Sequence, residues 1–598
     1  MNPYVFLLVI LLSSVRHIYA SDLFVEAESF AEKGGWVVDQ QFADQMGSPY
    51  LMAHGLGKPV SDAGTVVDFP ETGTYYIHVR VYNWTSPWYE KAGPGKFRIK
   101  LNGKVLPVTL GDKGNEWIWQ SAGKININKK QTEIILQDLT GFNGRCDALY
   151  FTKDPSFVPP SATDELMEFR REKLNIKQKD AGHYDLVVIG GGAAGICAAV
   201  SAAQCGLKVA LINDRPVLGG NGSSEIRVGL TGDTDKNLYP NLGKVVKEIQ
   251  MDRPFNAGPA EAYKDDKKMS VVRENKNISL YLNIHVFVVE TDQNTIQSVT
   301  GRHIETGDEF RFYGTLFADC TGDAAVGYLS GADYRMGRES RYEAFESLAP
   351  LSSDHHVLGS SNMWSFETKD KPSSFPVLEW ACQFSEVYHI KEKKPGWKWE
   401  GGFTKNTILN AENIRDQNLR AILGNWSYLK NNDPDYANRE ITWMAFLAGK
   451  RESRRLLGDI ILNQNDIQNQ VKYNDASFTT TWSLDLHFPD PKCSSFFPGE
   501  EFYSYCVQVP IYPYHVPYRC LYSRNINNLF MAGRNISATH VAFGSIRVQK
   551  TTGMMGEVVG MAASLCIQNK TNPRGVYQDH LKDLKTLMKK GVEKVIPN

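Results

Sequence analysis

The residues best placed to do chemistry are Gly190, Gly192 and Gly195, in the run HYDLVVIGGGAAGICAAVSAAQCG. Asp185 to Ile189 reads as a buried parallel strand, and Ile196 to Cys205 as a small-residue helix packing back on it. Each glycine then has a task. The first permits the tight turn, the second lets a pyrophosphate approach the backbone, and the third lets helix and strand pack closely. Ala193 and Ala194 open the helix, whose unpaired N–H groups face the phosphates. A second strand, Lys208 to Ile212, follows at the spacing of a βαβ unit. Beyond it, Asn213 or Asp214 is placed to accept ribose hydroxyls, although Asp214 equally suits the opening of an Asp-Arg-Pro turn.

Further glycine motifs lengthen this cleft. NDRPVLGGNGSSEIRV puts Gly219, Gly220, Asn221, Ser223 and Ser224 just past the ribose position. A nicotinamide dinucleotide needs no second glycine loop there. FAD does, because its pyrophosphate and ring run on past the first loop. GTLFADCTGDAAVGYLSGA repeats the logic with a strand ending at Asp319, then Thr321, Gly322 and Asp323 before a helix. NNLFMAGRNISATHVAFGSIRVQ supplies Gly533 and Arg534, a loop, then Gly544 and Ser545 ahead of a long Gly/Ala-rich helix. Val288 completes the expected cofactor contacts.

These blocks together resemble the FAD-dependent oxidoreductases of the fumarate-reductase-like class, from Tyr184 to the C-terminus. The resemblance implies a Rossmann-like α/β FAD-binding domain over 183–335 and 500–598, with a substrate or cap domain inserted over 336–499. The family's usual Glu after the second strand is Asn213 here. In such enzymes the cofactor carries the redox step, and the protein supplies orientation and proton transfer. A base working near neutral pH is most simply a histidine. His540 is the first candidate, because its loop is expected beside the flavin ring; capping the following helix is its bland alternative. His515, in YPYHVPYRC, is the second candidate. Arg547 and Arg227 could stabilise developing negative charge or contact phosphate.

The insertion carries Trp364, Trp397, Trp399, Trp426, Trp443 and Trp482, and HFPDP around His487. If GKRESRRLLGD is helical, Arg451 and Arg455 share a face. They would then grip an acidic substrate or pair with the FAD domain.

Residues 21–155 have a different texture, with alternating runs such as GTYYIHVRVYNW and QTEIILQDL broken by Gly, Asn and Pro. That is the pattern of an all-β sandwich. VEAESF and GRCDALYF resemble the first and last strands of jelly-roll carbohydrate-binding modules. The likeness implies a structural Ca²⁺ held by Glu26, Glu28 and Asp147, against the alternative of edge-strand acids. Trp36, Trp84, Trp88, Trp117 and Trp119 would be a sugar platform or simply core. A proline-rich break and a charged helix over 156–182 read as a linker, which predicts two separable units.

Met1 to Ala20 reads as a signal peptide, with an apolar stretch too short to span a bilayer, implying a secreted or periplasmic protein. A net charge of −1 argues against a nucleic-acid partner, and no later run of 18 apolar residues predicts a membrane span. Nine cysteines without a CxxC indicate neither a zinc site nor a disulfide framework. The combined expectation is an exported FAD enzyme oxidising a sugar or glycan-derived small molecule, its electron acceptor undefined. The alternatives are reduction of an unsaturated acid, flavin-dependent hydration or isomerisation, and glycan binding with a relic flavin domain.

Overall fold

The computed structural model describes residues 21–592 except 253, 254 and 395. The expected signal peptide lies outside the described residues.

Two antiparallel sheets face each other at the N-terminal end. One has six strands, centred on Gly144–Thr152, which pairs with Leu23–Glu26, Tyr50–Ala53 and Gly73–Val81. The other has four, in the order Ala63–Asp68, Gln131–Asp138, Phe97–Leu101, Lys104–Val105. Strands of alternating burial, such as Phe97–Leu101, turn Phe97, Ile99 and Leu101 into the shared core with Tyr75, Ile77 and Val79. A two-residue side-chain period makes this the natural way to bury one face of each sheet.

A helix, Thr163–Leu174, leads to the larger, seven-stranded sheet. Its parallel part runs Ile278–Tyr281, Val209–Ile212, Gln178–Ile189, Glu309–Asp319, Leu529–Met531. Chain order therefore reverses beside Gln178–Ile189, and the loops leaving Ile189 and Asp319 open a crevice between them. The helices Ala193–Gln204 and Gln549–Asn569 cover this sheet together. Their approach demands glycine. A Cβ on Gly556 would lie 2.1 Å from the Ala194 carbonyl oxygen, and one on Gly560 2.6 Å from the Ala202 nitrogen.

Between Asp319 and Leu529 the chain builds short antiparallel ribbons and one 22-residue helix, Ala411–Asn432. The expected boundary at 499/500 would cut the hairpin of Leu484–Pro489 with Ser504–Val509, so the insertion extends further. Nor is GKRESRRLLGD helical. Gly449–Lys450 and Arg455–Leu456 are short strands separated by an irregular segment, because each arginine takes a partner in a different direction. Arg455 pairs with Glu339 and Glu452, Arg451 with Glu400, and Arg454 stacks over Tyr328.

The expectation of separable units meets a buried polar seam. Arg145 of the sandwich lies 2.5 Å from both Glu412 and Asp416 of the long helix. Arg415 returns 2.7 Å to Asp39 and donates to the Tyr50 hydroxyl at 3.0 Å. Trp84 packs edge-on to Trp380 across the same seam. The N-terminal tryptophans thus serve core and seam: Trp36 and Trp84 are buried, and Trp117 stacks on Tyr82.

Candidate functional site

The crevice is a cavity of about 260 Å³ walled by the glycine loops. Gly190 has φ +105°, and a Cβ there would strike the Cys320 carbonyl oxygen at 2.3 Å. Gly195 would strike the Gly190 carbonyl oxygen at 1.7 Å, which is the close strand–helix packing its position predicted. Gly192 differs. Its Cβ would meet only Gly220 Cα, at 3.9 Å, so that space belongs to the cleft. Ala193, Ala194, Gly219, Gly220 and Asn221 line the same wall. No side chain caps the helix at Gly192, and its first N–H groups remain available to an anion.

Asn213 and Asp214 divide the work expected at the strand end. The Asn213 amide is consumed by the turn: it accepts from Gly191 N at 3.0 Å and donates to the Arg215 and Val217 carbonyls. Asp214 lines the cavity with a half-exposed carboxylate. Opposite, Thr321, Gly322 and Asp323 enter from the end of Glu309–Asp319, with Gly533 and Arg534 beside them. Asp319 stays beneath, accepting from Thr321 N, Thr321 Oγ1 and Gly327 N, so it shapes the loop without reaching the cavity. Burial would raise the Asp323 carboxyl, but Lys450 and Arg534 beside it hold it well below the usual range. Arg534 Nη1 is buried with no hydrogen-bond partner among the described residues. A buried guanidinium donor without a partner is costly. A pyrophosphate would satisfy it, and the cleft fits an FAD on that ground and on the open helix terminus.

A second chamber of about 220 Å³ adjoins the first, sharing Asn221, Lys450, Arg534, Arg547 and Gln549. Trp397, Trp482, Met363 and Asn256 line it, with one histidine, His487. His487 Nδ1 lies 2.7 Å from Glu400, while Nε2 lies 3.0 Å from Arg547 Nη2 and 3.4 Å from Asp485. A guanidinium only donates, so its contact assigns the Nε2 lone pair as acceptor and puts the ring proton on Nδ1, toward Glu400. Glu400 also accepts from Ser504 Oγ and Gly359 N. Its burial would raise the carboxyl, yet Arg451 and His487 bring it down to about 2. The imidazole is therefore oriented by a permanent anion at Nδ1, while its Nε2 accepts from Arg547 at the chamber wall.

Several expected site residues lie elsewhere. His540 is buried, its Nδ1 2.9 Å from Glu452, and it lines neither chamber because it forms the first residue of the helix His540–Ile546. His515 sits on the strand Tyr514–Pro517 and bonds Thr479. Arg227, at φ +62°, turns its guanidinium onto Trp443, 3.9 Å from the ring centroid. Ser223 Oγ donates to the Gly220 carbonyl and Ser224 N to Asp265, so both hold the loop from behind. Gly544 packs against the Asp485 backbone, and Ser545 donates to the Trp482 carbonyl. Val288 is exposed, because a register shift after Val286 turns the strand; Val286 faces the cavity instead. Of the four candidate reacting groups only Arg547 lines the chambers.

The residues missed were His487, Glu400, Asp485, Lys450 and Gln549. HFPDP and GKRESRR drew the eye to two of these segments, but Glu400 and His487 are 87 positions apart and share no local pattern. Glu26, Glu28 and Asp147 do converge, with ligand oxygens within 4.8 Å. Arg170 Nε lies 2.9 Å from Glu26 as an ion pair, and both Arg80 and Arg170 reach Asp147. Cationic side chains therefore already accompany two of the three acids. All nine cysteines are free thiols, and no helix among the described residues is long and apolar enough to cross a membrane.

Comparison with known proteins bears on the cofactor. No curated protein matches the sequence. Among solved structures, similarity is found to a geranylgeranyl bacteriochlorophyll reductase-like protein of Thermoplasma acidophilum, 12% identical, TM-score 0.29, over 69% of this chain and 84% of that one. The myxobacterial chondrochloren halogenase, an FAD-dependent halogenase, is 12% identical with TM-score 0.32, over 67% and 79%. The E. coli quinol fumarate reductase is 12% identical with TM-score 0.27, over 69% and 75%. These likenesses are too loose to carry a residue across. The FAD dependent oxidoreductase family profile matches residues 185–588, the whole span of glycine loops, insertion and covering helices. With the glycine loops of its dinucleotide crevice and the adjoining chamber in that span, the chain belongs to the FAD-dependent oxidoreductase family.

Proposed function

We propose that this protein is an exported FAD-dependent oxidoreductase that oxidises a hydroxyl of a sugar or glycan-derived small molecule in the second chamber. FAD bound in the crevice would supply the hydride acceptor, its N5. The observation that carries the reading is His487, held by Glu400 in a chamber that adjoins the crevice and shares Lys450, Arg534 and Arg547 with it. With Arg547 turned wholly onto Asp485, which it already reaches at 2.8 Å, the freed Nε2 lone pair would take the hydroxyl proton as the C–H hydride leaves, so the alcohol becomes a carbonyl. Asp485, 3.4 Å away, and Glu400 together compensate the imidazolium that forms. Trp397 and Trp482 give apolar ring faces, while Asn256 and Gln508 give polar edges, the mixed lining that a sugar uses.

Charge balance favours a neutral substrate over an unsaturated acid. In the second chamber Arg451 faces Glu400 and Arg547 faces Asp485, while Lys450 and Arg534 share the one carboxylate of Asp323 and keep a positive charge for the cofactor phosphates. A binding-only protein would have no use for an oriented imidazole beside the crevice. The Glu26, Glu28 and Asp147 cluster remains a candidate structural Ca²⁺ site, tested by the shift in melting temperature on adding calcium or chelator. The function itself is tested by anaerobic titration of the purified protein with neutral sugars, sugar acids and unsaturated acids. Bleaching of the flavin band by neutral sugars is expected; an oxidised flavin unmoved by any sugar would overturn the reading.

A further inference from the structure

The N-terminal sandwich reaches into the cofactor crevice. Gln40, Gln41, Asp44 and Gln45 line the same cavity as Asp214 and Arg215, the strand-end positions where a dinucleotide's adenosine ribose binds. These four residues belong to the turn after Val37–Asp39 and the short helix Ala43–Met46, which no glycine motif announces.

The segment is fixed on every side. Asp44 lies 2.7 Å from His285 Nε2, on the strand Ile284–Asp292 of the FAD sheet. Arg302 of the neighbouring strand donates to the Gly47 carbonyl at 2.8 Å. Gln41 donates to the Phe446 carbonyl and accepts from Ala448 N at 2.7 Å, both in the insertion. Gln45 donates to the Ile408 carbonyl, while its Oε1 is buried with no partner among the described residues. A third cavity, of about 360 Å³, lies on the far side of Asp44, Gln45 and His285, which line both spaces. The pair therefore stands as a partition at the adenosine end. The charged groups facing it are Asp214 and Arg302 around His285, and Lys450 and Asp323 around Asp44.

We propose that the sandwich is a constitutive wall of the FAD site: the segment Gln40–Gln45 closes over the adenosine half, and the Asp44–His285 contact latches it. The unpaired Gln45 Oε1 offers an acceptor to an adenine amino or ribose hydroxyl group. This rests on FAD occupying the crevice.

The test uses the full-length protein stripped of flavin with chaotropic salt and titrated with FAD, with release rates followed by flavin fluorescence. Asp44→Ala and His285→Ala should each weaken FAD binding by about tenfold and speed its release. The double variant should be no worse than either single, as for two halves of one contact. Melting temperatures of the flavin-free forms should match the parent's, and Asp44→Asn provides a milder variant if Asp44→Ala folds poorly. Variants that hold FAD as tightly as the parent would overturn the latch alone. So would losses that add in the double variant, or that merely track a lower melting temperature. A parent that takes up no FAD would overturn both the latch and the cofactor assignment.

Discussion

At the scale of single residues, the imidazole at His487 makes a sharp distinction from the one at His540. Loss of a general base costs on the order of 10²–10⁴ in rate. His487→Asn should therefore keep its FAD and its melting temperature while anaerobic flavin reduction slows by about that factor. His540→Asn should reduce its flavin at nearly the parent rate, because its ring faces Glu452 in the interior. Flavin reduction that collapses in His540→Asn and survives in His487→Asn would reverse the assignment. Glu400 acts through His487, and its signature is in pH. Its carboxyl falls from 4.5 to about 2 on folding. A lowered carboxyl contributes stability that is fully present above the unfolded value and is lost as pH falls through the folded one. Glu400→Gln should thus be less stable at pH 7, with a smaller fall in stability between about pH 4.5 and 2 than the parent, measured by denaturant unfolding across that range.

At the scale of elements, neighbouring glycines of one loop serve opposite ends. Gly190 adopts φ +105° against the Cys320 backbone, so a side chain there strains the crossing of strand, loop and neighbouring strand. Gly192 has φ −71° and open space before its Cβ. Gly192→Val should accordingly fold and lose FAD, whereas Gly190→Val should fail to fold. Circular dichroism with the 450 nm absorbance separates the two outcomes. A folded Gly192→Val protein with stoichiometric FAD would remove this loop from the cofactor site.

Over the whole molecule, the seam between sandwich and insertion determines whether the chain can be cut. Arg145 is fully buried among Tyr50, Tyr82 and Trp84 and pairs with Glu412 and Asp416, the second of which it shares with Arg415. Removing one partner of a buried ion pair costs about 3–5 kcal/mol, because the other charge stays buried and uncompensated. Arg145→Ala should lower unfolding free energy by roughly that amount. A chain beginning at residue 180 would expose the apolar seam and leave Glu412, Arg415 and Asp416 without Arg145, Asp39 and Tyr50. It should be recovered insoluble or free of flavin; a soluble, yellow fragment would contradict the shared-wall picture.

What could be read from the chain alone follows from range. The glycine loops act within a few residues of their own strand and helix, so HYDLVVIGGGAAG specified a dinucleotide crevice, and the alternating runs of 21–155 specified sheets with one buried face. The second glycine loop and the Thr321–Asp323 and Gly533–Arg534 segments pointed to the longer FAD cleft for the same local reason. The base was not legible in this way. His540 lay at the expected distance from Gly533, but its direction is set by Glu452, a partner 88 positions away. His487 acquires its role from Glu400, Asp485 and Arg547, which a ribbon, a short strand and a helix end bring together. The N-terminal wall is the extreme case, since Asp44 and His285 are 241 residues apart. Such pairings carry no periodicity, and only the packing of one sheet system against the other brought them within hydrogen-bond reach.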